Sequence, residues 1–90
     1  MRVLLFGTET CQKCMELLAN IQYLIQKKTI KNEDFVYIDA VVDENQDLCD
    51  THNIDLLPHL KVYSDEGIIT GEIVGEVLEI EKLKEIFHDD

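Results

Sequence analysis

Two cysteine motifs carry most of the chemistry open to this chain. Cys11 and Cys14 stand two residues apart in TETCQKCMELL, just after an apolar run and just before a helix-like pattern. Cys49 and His52 have the same spacing in CDTH. A dithiol at the first spacing can pass electrons by disulfide exchange, and the two half-sites together can be read as a zinc ligand set.

A thiol exchanges disulfides only if it can ionise and be reached. Cys11 at the first turn of a helix meets both conditions, because unpaired backbone N–H groups and the positive end of the helix favour a thiolate there. In such pairs the thiol pKa falls from about 8.5 into the range ~3.5 to ~7.5. Cys14, one turn on and on the apolar side, would be the buried resolving thiol. Lys13 favours the thiolate by its charge and Glu9 opposes it.

The metal reading joins Cys11, Cys14, Cys49 and His52. Three considerations oppose it. The separation of the half-sites is longer than usual zinc spacings. The second half-site falls in a helix joining two strands, and that helix should cover the opposite face of the sheet, so the four ligands would not converge. A copper-carrier reading of a helix-opening CxxC needs a chain that ends in a strand, and this one ends in a helical pattern.

Composition narrows the function classes. The chain has 90 residues, 46% of them hydrophobic, which is one domain with enough apolar surface for a core. With 8 Lys and Arg against 19 Asp and Glu, the formal net charge is −11. Such a surface repels phosphate backbones and anionic lipid, so neither nucleic acid nor membrane is the expected partner. The acidity serves solubility, or steers a basic patch of a partner protein into place. The opening MRVLLFG is too short an apolar run for a signal peptide or an anchor, and the cytoplasm is the expected compartment.

The elements that must position the cysteines follow from hydrophobic period. Residues 2–6, RVLLF, read as a buried strand. From Cys14, the positions Leu17, Leu18, Ile21, Leu24 and Ile25 recur at three and four, one face of a helix that Thr8 or Thr10 can cap and that Lys27 and Lys28 suit at its end. FVYID at 35–39, continuing towards Val42, is a second strand, and DENQDLCDTHN holds a short helix. His59–Tyr63 is a third strand, 64–67 a turn, and 68–74 the returning strand. Gly75 breaks it, and EVLEIEKLKEIF places Ile80, Leu83, Ile86 and Phe87 on one helical face. Strands joined through a helix should pair in parallel, and those joined by the tight turn antiparallel. The prediction is an α/β fold with a four-stranded mixed sheet, order β-α-β-α-β-β-α, and helices on both faces. Pro58 suits a strand start by its fixed φ and missing donor; a cis Leu57–Pro58 bond would instead expose the backbone of Leu57 to anything bound beside Cys11.

This arrangement resembles the thioredoxin/glutaredoxin superfamily over almost the whole chain. The resemblance rests on a strand leading into Cys11-Gln12-Lys13-Cys14 at a helix start, a strand ending in Asp39, Leu57-Pro58 entering the third strand, a hairpin, and Gly75 before a terminal amphipathic helix. It is nearest the small thioredoxin-like forms that lack the N-terminal strand and helix. It implies Cys11 as exposed nucleophile and Cys14 as resolving thiol. Pro58 would be the cis-proline opposite the pair, the Leu57 backbone would pair with the substrate chain, and Gly75 would keep the groove open. No cofactor is implied.

The sequence also departs from the superfamily pattern. Gln12-Lys13 is neither Gly-Pro nor Pro-Tyr, Glu9-Thr10 stands where a tryptophan precedes the first cysteine, and Leu57 replaces the more usual Thr or Val. Leu5 occupies the strand position of thioredoxin's buried acid. Gly75 is followed by Glu76-Val77-Leu78, without the Gly-Gly-x-Asp of glutathione-binding glutaredoxins. The expectation is a monomeric thiol–disulfide oxidoreductase that reduces disulfide-containing proteins, with a thioredoxin reductase as donor and glutathione as the alternative donor. The rival classes are the zinc module and a non-enzymatic interaction domain of the same fold. Of the remaining residues, Cys49 is expected in the core, His52 at a solvated helix end, His59 beside the active site or on the strand surface, and Tyr23, Tyr37 and Tyr63 in packing roles.

Overall fold

Val3, Leu4, Leu5 and Phe6 are apolar at consecutive positions, so the strand they form must be covered on both faces. In the computed structural model, which describes residues 1–87, this strand is β1 (Arg2–Gly7), and every residue after Arg2 is buried. It is central in a four-stranded sheet of order β2-β1-β3-β4. Strand β2 (Phe35–Asp39) pairs with it in parallel, Leu5 opposite Tyr37 and Gly7 opposite Asp39. Strand β3 (His59–Tyr63) pairs antiparallel on the other side, Phe6 opposite His59, and β4 (Ile69–Val74) continues antiparallel from β3. The predicted mixed sheet and its element order are therefore present.

The two faces carry two cores. Val3 and Leu5 point to one side, where they pack with Leu60, Val62 and Ile73 of the sheet under Leu17, Ile21 and Leu24 of helix α1 (Gln12–Gln26) and Leu83 and Phe87 of α3 (Ile80–Phe87). Leu4 and Phe6 point to the other, where Ile38 and Cys49 of the short helix α2 (Gln46–Thr51) join them. Burial of each large aliphatic side chain is worth roughly 1.5–3 kcal/mol, so the first core is much the larger contribution.

The end of β2 and the starts of β4 and α3 differ from the predicted ones, each for a reason the structure shows. Strand β2 stops at Asp39 rather than Val42, because the Asp39 carboxylate accepts from the Val41 N–H at 3.2 Å and the chain turns into a 3₁₀ turn at Asp43–Asn45. Strand β4 starts at Ile69, one residue late, since Ile68 belongs to the hairpin turn, its carbonyl accepting from the Ser64 N–H. Helix α3 starts at Ile80 rather than 76, for Val77 and Leu78 lie against the larger core and the Leu78 carbonyl accepts from Asn20 of α1 at 3.1 Å. At the end of α1, Lys27 is the cap and Lys28 takes the left-handed conformation, φ 64°, a residue that carries the chain out of the helix.

Candidate active site

Neither predicted threonine caps α1. Cys11 does, in extended conformation, its Sγ accepting a hydrogen bond from the Cys14 N–H at 3.2 Å. The Thr8 carbonyl accepts from the Cys11 N–H at 3.1 Å, so the 8–11 segment is a turn that delivers the sulfur to the helix end. An orphan N–H of the first turn is thus aimed at this sulfur, the contact that stabilises a thiolate once the sulfur is reduced. Cys11 is half-buried and Cys14 has 0% exposure. The two are joined in a disulfide with Cα atoms 5.2 Å apart. One sulfur is reachable and the other lies beneath it.

What lies beneath Cys14 is Gly7, the last residue of β1. A Cβ placed on Gly7 would sit 2.9 Å from Cys14 Cβ, 3.1 Å from Cys14 Sγ and 3.5 Å from Cε1 of Tyr37. Only a residue without a side chain lets the helix start settle onto the strand here. Gly7 lies outside the predicted strand at 2–6, and Tyr37, expected to pack, packs against the larger core. The signal available for Gly7 was alternation: Val3, Leu5 and Gly7 share a face, so the residue ending the series must lie under whatever the following helix brings back.

The register builds the rest of the site. Phe6 is opposite His59, so one further step along the antiparallel pair sets Pro58 across from Gly7. The Leu57–Pro58 bond is cis. The Pro58 carbonyl accepts from the Gly75 N–H at 2.8 Å, and Gly75 has φ +70°, the left-handed region that glycine enters without steric cost. Cys14, Gly7, Pro58 and Gly75 thus form a row across one end of the sheet. Leu57 packs its side chain into the smaller core, and its backbone enters none of the loop or cap hydrogen bonds among the described residues. Leu56 and Val74, 59% and 43% exposed, present apolar surface at this end of the sheet.

Cys49 and His52 are elsewhere. Cys49 is buried beside Leu4, Phe6 and Ile38, on the face of β1 opposite to Gly7 and Cys14. Burial, and then the charge of Asp50, push its thiol up from its ordinary range. His52 is half-buried rather than solvated. Its ring lies 5.4 Å from that of Phe6, its Nδ1 is 3.4 Å from the Tyr63 hydroxyl, and its carbonyl accepts from Lys61 Nζ at 2.9 Å. Desolvation, then Lys61 and His59, hold its pKa below the usual histidine value. The four residues of the metal reading are thus split across the sheet, and among the described residues no group of three or more His, Cys, Asp or Glu side chains converges.

His59 is not on the strand surface: it follows Pro58 and turns its ring to the Phe6 face of the sheet. It is buried at the start of β3, edge-on to Phe6 at 6.4 Å, with Nε2 2.6 Å from the Glu72 carboxylate and Nδ1 buried without a partner among the described residues. Tyr23, expected to pack, is 41% exposed on α1, with Lys27 Nζ 5.5 Å over its ring.

The family model described as Thioredoxin matches residues 1–89. The chain belongs to the thioredoxin family. That family is one of thiol–disulfide oxidoreductases, and the bonded Cys11–Cys14 pair fits it. Comparison of the sequence with curated proteins yields no match. Among solved structures the chain is similar to thioredoxin 1 of Thermosipho africanus TCF52B, at 18% identity and a TM-score of 0.76, covering 98% of this chain and 91% of that one. It is similar to the oxidised C-terminal domain of DsbD from Neisseria meningitidis, at 21% identity and a TM-score of 0.78, over 97% and 77% of the two chains. It is also similar to Plasmodium falciparum thioredoxin, at 22% identity and a TM-score of 0.72, over 97% and 82%. At these identities the likeness establishes the thioredoxin fold.

Proposed function

We propose that this thioredoxin-family chain reduces protein disulfides, with Cys11 as nucleophile and Cys14 as resolving thiol. The single observation that carries the reading is the hydrogen bond from the Cys14 N–H to Cys11 Sγ at 3.2 Å, on a reachable sulfur bonded to a buried one. The Cys11 thiolate attacks a substrate sulfur, forming a mixed disulfide and expelling one substrate thiolate. Cys14, as thiolate, then attacks Cys11 Sγ; the internal disulfide forms, the mixed disulfide breaks, and the second substrate thiolate leaves. Two electrons pass to the substrate, whose thiolates take protons from water. Pro58, Gly75 and the backbone of Leu57 form the surface that receives the substrate chain, and the unengaged Leu57 backbone supports that role.

A dithiol donor must restore the pair. A flavin-dependent thioredoxin reductase is the donor this reading favours over glutathione, because Gly75 is followed by Glu76, Val77 and Leu78 rather than a glutathione-binding signature. The reading assigns a monomer working in the cytoplasm, where a reducing thiol pool suits a chain whose one remaining described cysteine is a buried free thiol. The test is turnover of a disulfide-containing protein with each donor. Cys11→Ser should abolish turnover and Cys14→Ser should accumulate a mixed disulfide visible by mass. Intact turnover in Cys11→Ser would overturn the mechanism, and equal or better rates with glutathione would reverse the donor.

A further inference from the structure

The resolving step asks for something the first step does not. Cys14 has 0% exposure, and its own N–H is directed at Cys11 Sγ, so that amide does not stabilise charge on Cys14. A thiolate formed at a buried sulfur is penalised by desolvation unless a donor meets it. Below it on β1 are Gly7, without a side chain, and Leu5, apolar and 0% exposed. The neighbouring strand supplies the polar group. Tyr37 is the parallel partner of Leu5, and its ring leans along β2 towards Gly7. A single point, the site of a Cβ on Gly7, lies 3.5 Å from Tyr37 Cε1 and 3.1 Å from Cys14 Sγ, so ring edge and sulfur are separated by no more than the sum of the two.

We propose that Tyr37 is a positioning residue for the resolving step, its phenolic O–H donating a hydrogen bond to the thiolate of Cys14 in the reduced protein. The assignment rests on the dithiol mechanism above and deepens it. In the oxidised protein the sulfur is neutral and bonded to Cys11, and the phenol meets no protein acceptor among the described residues. Burial first, then the charges of Asp39 and Glu9, raise the Tyr37 pKa, which keeps the phenol protonated and makes it a donor rather than a base. The proton lost by Cys14 goes to water; Tyr37 keeps its own. When Cys14 attacks Cys11 Sγ the charge moves to the departing substrate sulfur and the hydrogen bond is released.

The test is stopped-flow reaction of the reduced protein with 5,5′-dithiobis(2-nitrobenzoate), comparing the unaltered chain with Tyr37→Phe, which keeps the ring and removes the hydroxyl. The first thionitrobenzoate release reports attack by Cys11 and scales with reagent; the second reports resolution by Cys14 and does not. Loss of one charge-assisted hydrogen bond should move the acidic limb of the second rate up by about one pH unit and slow it about tenfold near neutral pH, with the two proteins converging at alkaline pH. An unshifted profile, an equal fall at every pH, or an equal fall in the first release would overturn the role of Tyr37. Absence of any reagent-independent second release in the unaltered chain would overturn the dithiol mechanism itself, and the Tyr37 role with it. If Tyr37→Phe does not fold, carbon NMR at Tyr37 Cζ in the unaltered chain decides the matter: its titration should move up on reduction, and an identical titration in both redox states would overturn the proposal.

Discussion

Replacing Gly7 by alanine tests whether the contact between strand and helix start is as close as the site requires. The new methyl would stand 2.9 Å from Cys14 Cβ and 3.1 Å from Cys14 Sγ. Carbon atoms pack at about 3.5–4.0 Å, so the methyl is too close by roughly 0.6 Å or more. Cys14 Cβ cannot swing away, since it is fixed directly to the backbone of α1 and is fully buried. Relief needs the first turn of the helix to lift off β1. Overpacking of this kind costs ~1–3 kcal/mol, and an immovable obstacle puts the cost in the upper half, about 2–3. Alanine returns about 0.5–1 kcal/mol by restricting the unfolded chain. The net loss is about 1–2.5 kcal/mol, or about 4–20 °C in Tm for a domain of this size.

Urea unfolding of oxidised and reduced protein measures it, with Gly71→Ala alongside. There the obstacle is nominally nearer, Ile86 Cγ2 at 2.6 Å, but the Ile86 Cβ is 3.8 Å away and the side chain is only half-buried, so a χ1 rotation or a small shift near the end of α3 relieves the contact at less cost than lifting the first turn of α1. Gly7→Ala should therefore lose more than Gly71→Ala, in both redox states and with an unchanged m value. Wild-type stability in Gly7→Ala, or the reverse ranking, would refute the reasoning.

Two further outcomes follow from the second face of the sheet. His52 is held below its ordinary pKa of 6.5 by burial and then by Lys61 and His59. As pH falls through 6.5, the unfolded chain takes this proton before the folded one, so His52 costs nothing in the alkaline range and lowers stability progressively on acidification. The urea midpoint of wild type should fall more steeply than that of His52→Gln between about pH 7.5 and pH 5.5, and parallel curves would remove His52 from the account. Cys49 is 6% exposed and its thiol is pushed up by burial and Asp50. Iodoacetamide added to the reduced native protein should label Cys11 long before Cys49, as read by peptide mass; modification of Cys49 at the rate of a free thiol would show that α2 opens readily.

Much of this was legible in hydrophobic period. The six apolar positions from Cys14 to Ile25 marked the buried stripe of α1, and the uninterrupted run Val3–Phe6 marked a strand covered on both sides. The differences arise in two ways, from long-range partners that override local pattern and from short-range competition with the backbone ladder. Val77 and Leu78 look helical in EVLEIEKLKEIF, but they are spent on the core and on Asn20, which the local sequence does not reveal. Asp39 ends β2 through its own side chain, a short-range competition with the ladder that Asp commonly wins. His52 read as a solvated helix end and His59 as an active-site or strand-surface residue; Phe6, itself buried by the alternation of β1, packs against both rings.

That alternation also decides which cysteines can bond to each other. Side chains of a strand point to opposite faces in turn, so β1 sorts the molecule into two sides. Its odd residues end in Gly7, whose bare backbone admits Cys14, and on that side α1 supplies both sulfurs. Its even residues end in Phe6, whose ring occupies the space between His52 and His59, and Cys49 lies with it. A slip of one residue in the register of β1 would turn Phe6 towards the helix start and exclude Cys14 altogether. The strand's period of two therefore does more than make a core: it keeps the disulfide-bonded pair and the third thiol on opposite sides of a sheet, out of each other's reach, and sets Cys14 beneath Cys11, where the proposed mechanism needs its resolving thiol.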